Sequence, residues 1–237
     1  MPVYLYCFVP DDCGAPPAGL AGVDGLPVRA AALGRLRAWV SDVPGPAPEA
    51  TAERARAHDA VVRAAMAVET PLPARFGQVA ADDAALAAAV EGRAASFAEA
   101  LAHVRGAVEM TVRLLPGGAE ASRPPGAAPR AVEGSAAVRS GRAYLERVRE
   151  RTAAEEEWRR RAGFLQDEVS HAVAAIVRDE TRPALLSPVA TLAMAHLVPR
   201  ERVGAYRAAI GGLRERDPAL PMMLSGPWAP YSFAPHA

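Results

Sequence analysis

The sequence predicts an α+β protein made of two α+β parts, and three observations carry that expectation. Residues Val3 to Val9 are apolar on both alternating faces, as in a strand covered twice. Further on, segments with the 3–4 spacing of a helix face alternate with short apolar runs. From Gly141 onwards the order is helix, strand, helix, strand, which suggests an α+β sandwich with ferredoxin-like character.

In the opening strand Val3, Leu5, Cys7 and Val9 alternate with Tyr4, Tyr6 and Phe8. The Gly/Pro-rich stretch after it reads as loop. Two short strands follow at about 26–32 and 35–42, with the turn near Gly34. Residues 50–69 form a helix with Ala55, His58, Val62, Ala65, Met66 and Glu69 on one face. Two prolines keep helix out of "TPLPARFGQVA", so a short strand ending near Gly77 is expected. Residues 82–105 read as one helix with the stripe Leu86, Val90, Ala94, Phe97, Leu101 and Val104. A strand at 107–115 places Val108, Met110, Val112 and Leu114 on its buried face, against Glu109, Thr111 and Arg113.

Residues 116–138 lose all periodicity and are rich in Pro, Gly, Ala and Ser. The expected division is an N-terminal α+β domain at 1–116, a flexible linker or insertion at 117–138, and a C-terminal helical, ferredoxin-like domain at 139–237. Residues 141–182 read as helical throughout, with a heptad-like seam at Val148, Arg151, Glu155, Trp158, Ala162, Leu165, Val169, Ala172 and Ile176. A straight helix of that length would span roughly 60 Å, so a break at Gly163 or a bend is expected. A buried strand at 189–198, a helix at 200–216 with Val203, Tyr206, Ile210 and Leu213 inward, and a strand at 219–225 complete the chain.

Composition narrows the function. Hydrophobic residues make up 51% of the chain, which excludes disorder of the whole. The 27 basic residues, all arginine, balance 27 acidic ones, so the surplus of a nucleic-acid binder is missing. No apolar run is long enough for a membrane-spanning helix. Cys7 and Cys13 are too few for a disulfide framework or a four-ligand zinc site, and with no signal-peptide pattern at the start a reduced, cytoplasmic protein is expected. His58, His103, His171, His196 and His236 show no ligand spacing, so no metal site is expected from them.

The candidate functional residues are few. His58 and Asp59 with Arg75 could form an acid–base or anion site, but position 58 falls on an inward helix stripe and reads as a packed histidine. Arg75, Phe76 and Gly77 mark a sharp turn, where a guanidinium can satisfy carbonyls or a carboxylate. Trp228, Tyr231 and Phe233 are either a partner-binding anchor or a lid folded back on their own domain, and the lid is the favoured reading. The helical seam alone would also suit an oligomerisation module.

Four stretches taken in order resemble one family, the gas vesicle proteins GvpL/GvpF. They are "VYLYCFV", "AHDAVVRAAMAVETPLPARFGQV" with its P-x-RFG strand, "SGRAYLERVRERTAAEEEW", and the closing "LSGPWAPYSFA". Ala229 stands where that family's closing signature more often has proline. The resemblance implies a minor structural and assembly component of gas vesicles that contacts the major shell protein GvpA and other accessory gas vesicle proteins. It also implies two α+β domains, the second a modified ferredoxin-like fold with a long charged helix, and neither catalysis nor a cofactor. A different reading keeps the ferredoxin-like scaffold but makes the protein a small-molecule binder or enzyme using His58, Asp59 and Arg75.

Overall fold

The computed structural model describes residues 1–114, 141–182, 192–216 and 222–235; the expected linker at 117–138 lies outside them. The fold is α+β. The first sheet contains β1 (Val3–Pro10), β2 (Arg29–Leu33), β3 (Leu36–Asp42), β4 (Leu72–Pro73) and β5 (Val79–Ala80). Its order is β2-β3-β1-β4, with β5 also paired to β1 on the β4 side. The turn between β2 and β3 uses Gly34 at φ 69°, a left-handed conformation that glycine adopts without strain.

Both faces of β1 are buried, but the faces are not a simple alternation. A register shift between Leu5 and Cys7 turns Cys7 to the side of Tyr4 and Tyr6, and Phe8 to the side of Val3 and Leu5. A bulge adds one residue on one side and so reverses the phase beyond it. Strict alternation along the sequence could not show this.

Helix α1 (Ala52–Val68) packs on the tyrosine side with Val61, Val62 and Ala65, and its first turn is capped by the Thr51 side chain. The other face is covered by α2 (Asp83–Glu91) and α3 (Ala94–Val104). These were expected as one helix. Gly92 ends α2, and α3 restarts after Arg93. Glycine holds a helix poorly, and Leu86, Val90, Phe97, Leu101 and Val104 still reach one core.

The second sheet contains β6 (Ala107–Leu114), β7 (Asp179–Thr181), β8 (Leu192–Pro199) and β9 (Met222–Trp228), in the order β7-β8-β6-β9 with every neighbour antiparallel. Strand β6 was expected with the N-terminal part, yet its ladders run to β8 and β9. Alternation reports that a strand is buried, not which sheet receives it.

Two helices cover one face of this sheet, α4 (Gly141–Val173) and α5 (Val203–Arg216). Helix α4 runs unbroken through Gly163, so the expected break does not occur. It ends at Val173, and residues 179–181, expected as helix, form β7. At 33 residues α4 is about 50 Å long. Its described side chains from Arg149 to Arg161 are exposed, and burial starts at Ala162, Leu165 and Val169.

On β8, Met194 and Val198 face the helices, whereas Leu197 joins the core of the first sheet together with Ala107. The two halves therefore share an apolar seam. Thr70 ties it by donating to the Ala107 carbonyl (3.0 Å), and Arg200 donates to the Met66 carbonyl (2.7 Å) and to the Thr70 hydroxyl (3.2 Å).

Gly22 is packed against the Tyr6 ring, and a Cβ there would overlap the Tyr6 hydroxyl. Gly22→Ala must push that ring off its partners. The expected loss is about 2–4 kcal/mol in urea denaturation, combining overpacking with broken buried hydrogen bonds.

Candidate functional site

The Arg75–Phe76–Gly77 turn interrupts the edge of β1 between β4 and β5. Its anchor is a buried relay. The Gly77 N–H donates to the Tyr4 hydroxyl (3.1 Å), which donates to Nδ1 of His58 (2.9 Å). Nε2–H of His58 donates to the Ala74 carbonyl (3.1 Å). A carbonyl only accepts, so His58 is the neutral Nε2–H tautomer. Phe76 packs edge-on to Tyr4, with ring centroids 5.9 Å apart. Gly77 sits at φ 89°, where a side chain would be strained.

A second relay lies beside the first. The Val23 N–H donates to the Tyr6 hydroxyl (2.9 Å), Tyr6 to Ser41 (3.0 Å), and Ser41 to the Pro27 carbonyl (2.9 Å). Burial raises the Tyr4 phenol to about 12 and lowers the His58 imidazole, so both stay neutral.

The alternative acid–base arrangement of His58 and Asp59 does not assemble. Both nitrogens of His58 are held by the protein, and the Asp59 carboxylate pairs with Arg63 (2.7 Å). Arg75 is exposed at a cavity of about 230 Å³ between β1, β4, α3 and the C-terminal tail, with Phe8, Phe97, Gln78 and Ser232 also in its lining. Among the described residues no group of three His, Cys, Asp or Glu side chains is placed to hold a metal. No helix among them is long and apolar enough to cross a membrane.

The three aromatics of the tail part company. Tyr231 packs into the α1-side core beside buried Ala229, while Phe233 and Ala234 pack into the α2–α3-side core. The tail thus passes around the β4 edge of the first sheet. It was expected to fold back on its own domain; instead it joins both cores of the first sheet, because β9 delivers it to the seam. Strand β9 itself extends through Trp228, further than the expected strand at 219–225. Trp228 stays 39% exposed under the Arg63 guanidinium, 5.5 Å from the ring centroid.

The tail is pinned at Ser232, whose N–H and hydroxyl donate to the two Glu109 carboxylate oxygens (2.8 and 2.9 Å). Glu109 is 7% exposed, and burial raises its carboxyl despite those bonds. Sequence patterning put Glu109 on a solvent face, and nothing in it reveals the tail that covers this residue. Arg63 was missed as well, because a single arginine on a helix carries no signal.

The C-terminal half repeats the Tyr–His pairing. The Tyr206 hydroxyl lies 2.7 Å from Nδ1 of buried His196, and Nε2 faces Glu180 at 3.7 Å, beyond hydrogen-bond range. Burial lowers His196 to about 4, more than the nearby Glu180 raises it.

The site is thus built from two sheets strapped by one aromatic tail, with both nitrogens of His58 taken up by the protein itself. The family model for "Gas vesicle synthesis protein GvpL/GvpF" matches residues 2–235. "Gas vesicle protein L" of Streptomyces sp. (strain CB03234) is 34% identical over 253 residues, covering 98% of this chain and 92% of that one. The crystal structure of GvpF from Anabaena sp. PCC7120 superimposes with a TM-score of 0.73 at 18% identity, covering 100% of this chain and 99% of that one. GvpF from Microcystis aeruginosa gives 0.72 at 19% identity, with 99% of each chain covered. The chain belongs to the GvpL/GvpF family of gas vesicle proteins.

Two outcomes follow from the site. Truncation after Trp228 removes Tyr231 and Phe233 from two cores and strips Glu109 of both donors. Urea denaturation should show a loss of about 3–5 kcal/mol, and unchanged stability would refute the strap. The second concerns pH. His58 and His196 have depressed folded pKa values, so their stabilisation is full above about pH 6.5 and fades as pH falls toward 4, the value of His196. For His196 alone the loss is about 3 kcal/mol. Glu109 acts with the opposite sign, since its raised carboxyl favours folding below its ordinary range and loses that contribution as pH rises. The urea midpoint should fall from pH 7 to pH 4.5, and His196→Gln should flatten that slope.

Proposed function

We propose that this chain is a minor structural and assembly component of gas vesicles. In this reading it works in the cytoplasm at the vesicle, binds the shell protein GvpA and other accessory gas vesicle proteins, and performs no catalysis. Membership of the GvpL/GvpF family over residues 2–235 is the observation that carries the reading. A wall that excludes water needs subunits with large apolar faces, and such faces aggregate before assembly. A partner that covers them during nucleation limits that hazard. The engagement of both His58 nitrogens supports the non-catalytic part.

We also read the molecule as two domains meeting near Gly106, the second a modified ferredoxin-like fold. The element order β6-α4-β7-β8-α5-β9 and the strand order β7-β8-β6-β9 support this. The modification is the extension of α4. The Arg75–Phe76–Gly77 turn, Tyr231 and Phe233 then serve structure, which leaves Trp228 as the tail's candidate for partner contact.

The test is co-purification in cells that make gas vesicles. Tagged full-length protein should retain GvpA, and deletion of the gene should leave GvpA aggregated and vesicles scarce. Normal vesicles in the deletion strain and no retained GvpA would overturn the reading.

A further inference from the structure

Among the described aromatic side chains Tyr4, Tyr6, Trp39 and Tyr206 are 0% exposed, whereas Phe164 is 64% and Trp228 39% exposed. Trp228 sits with Gly226 and Pro227 on a shallow surface where β9, α1 and the start of the α5 segment converge, next to Met66 and Ala67. Pro227 and Ala67 are exposed as well.

The cations around this apolar floor are poorly neutralised. Arg63 stacks on the indole and shares Asp59. Arg200 is bonded to the Met66 carbonyl and the Thr70 hydroxyl, and Arg207 to the Gly226 carbonyl (3.2 Å). Among the described residues no carboxylate forms an ion pair with Arg200 or Arg207. The indole therefore has Arg63 over its ring and Arg200 in the same lining, with Arg207 held two residues away at Gly226, and Asp59 is the acid paired within this set. Backbone acceptors orient a guanidinium without cancelling its charge. Trp and Arg are also the side chains that contribute most at protein contacts.

We propose that this patch is a docking surface for an acidic, apolar-faced segment of another polypeptide. Its apolar side chains pack on Trp228 and Pro227, and its carboxylates meet Arg63, Arg200 and Arg207. The Arg–carboxylate fork gives direction to the contact, and the charge set excludes basic segments. This goes beyond the gas vesicle reading and rests on the patch alone, so it stands or falls separately from binding to GvpA.

The test uses the full chain and two synthetic amphipathic helices with the same leucine face, one flanked by glutamates and one by lysines. In calorimetric titration the glutamate peptide should bind and the lysine peptide should not. Raising salt should weaken the binding. Trp228→Ala and, separately, Arg207→Glu should each lower affinity by about tenfold or more. Among the described residues Arg207 bonds to the Gly226 carbonyl alone, so that variant should melt like the parent and keep the test valid if Trp228→Ala loses stability. Equal binding of the two peptides, no binding of the glutamate peptide, or binding unaffected by Arg207→Glu would overturn the proposal.

Discussion

From Val3 to Val9 the first strand leaves no side chain in water, so both faces of its sheet have to be covered. That demand shapes everything around it. Helices α2 and α3 cover one face, and α1 with the 3-10 turn at Val23–Gly25 covers the other. Neither set closes the β4 edge, where the turn at Gly77 interrupts the ladder. The tail from β9 fills that place. Because the tail belongs to the second sheet's last strand, completing the first core draws the two sheets together.

The polar groups caught in this arrangement are handled by relays. Tyr4 and Tyr6 bring two hydroxyls into a core, and each would be costly if unpaired. Each is instead one link in a chain that begins at a backbone N–H and ends at a backbone carbonyl. His58 is kept neutral as a link, which explains a histidine on an apolar helix face. Thr70 and Arg200 do similar work at the seam, binding groups from both halves.

Much of the fold was legible in the sequence, and the misses have physical causes. The β2–β3 hairpin, the inward set Tyr206, Ile210 and Leu213, and the packed state of His58 all follow from spacing and turn chemistry. The faces of β1 were misread from Cys7 onward because a bulge changes the phase without changing the residues. The break at Gly92 and the continuity at Gly163 show that one glycine does not decide a helix: Gly92 lies where two short helices must bend to one core, and Gly163 lies between Ala162 and Leu165, which pack into the second sheet's core. The candidate site was harder still. Trp228, Tyr231 and Phe233 look alike in sequence, and only the crossing of the tail sends two of them inward. Glu109 owes its burial to Ser232, which lies far away along the chain.

The path of the tail also bears on how the protein is made. Strand β1 leaves the ribosome well before residues 229–234, which complete its cores. Until they arrive, the β4 edge offers open backbone groups and uncovered aromatic surface, the conditions under which nascent chains associate. The first sheet therefore cannot finish folding on its own schedule, because its closing contact joins segments far apart in sequence.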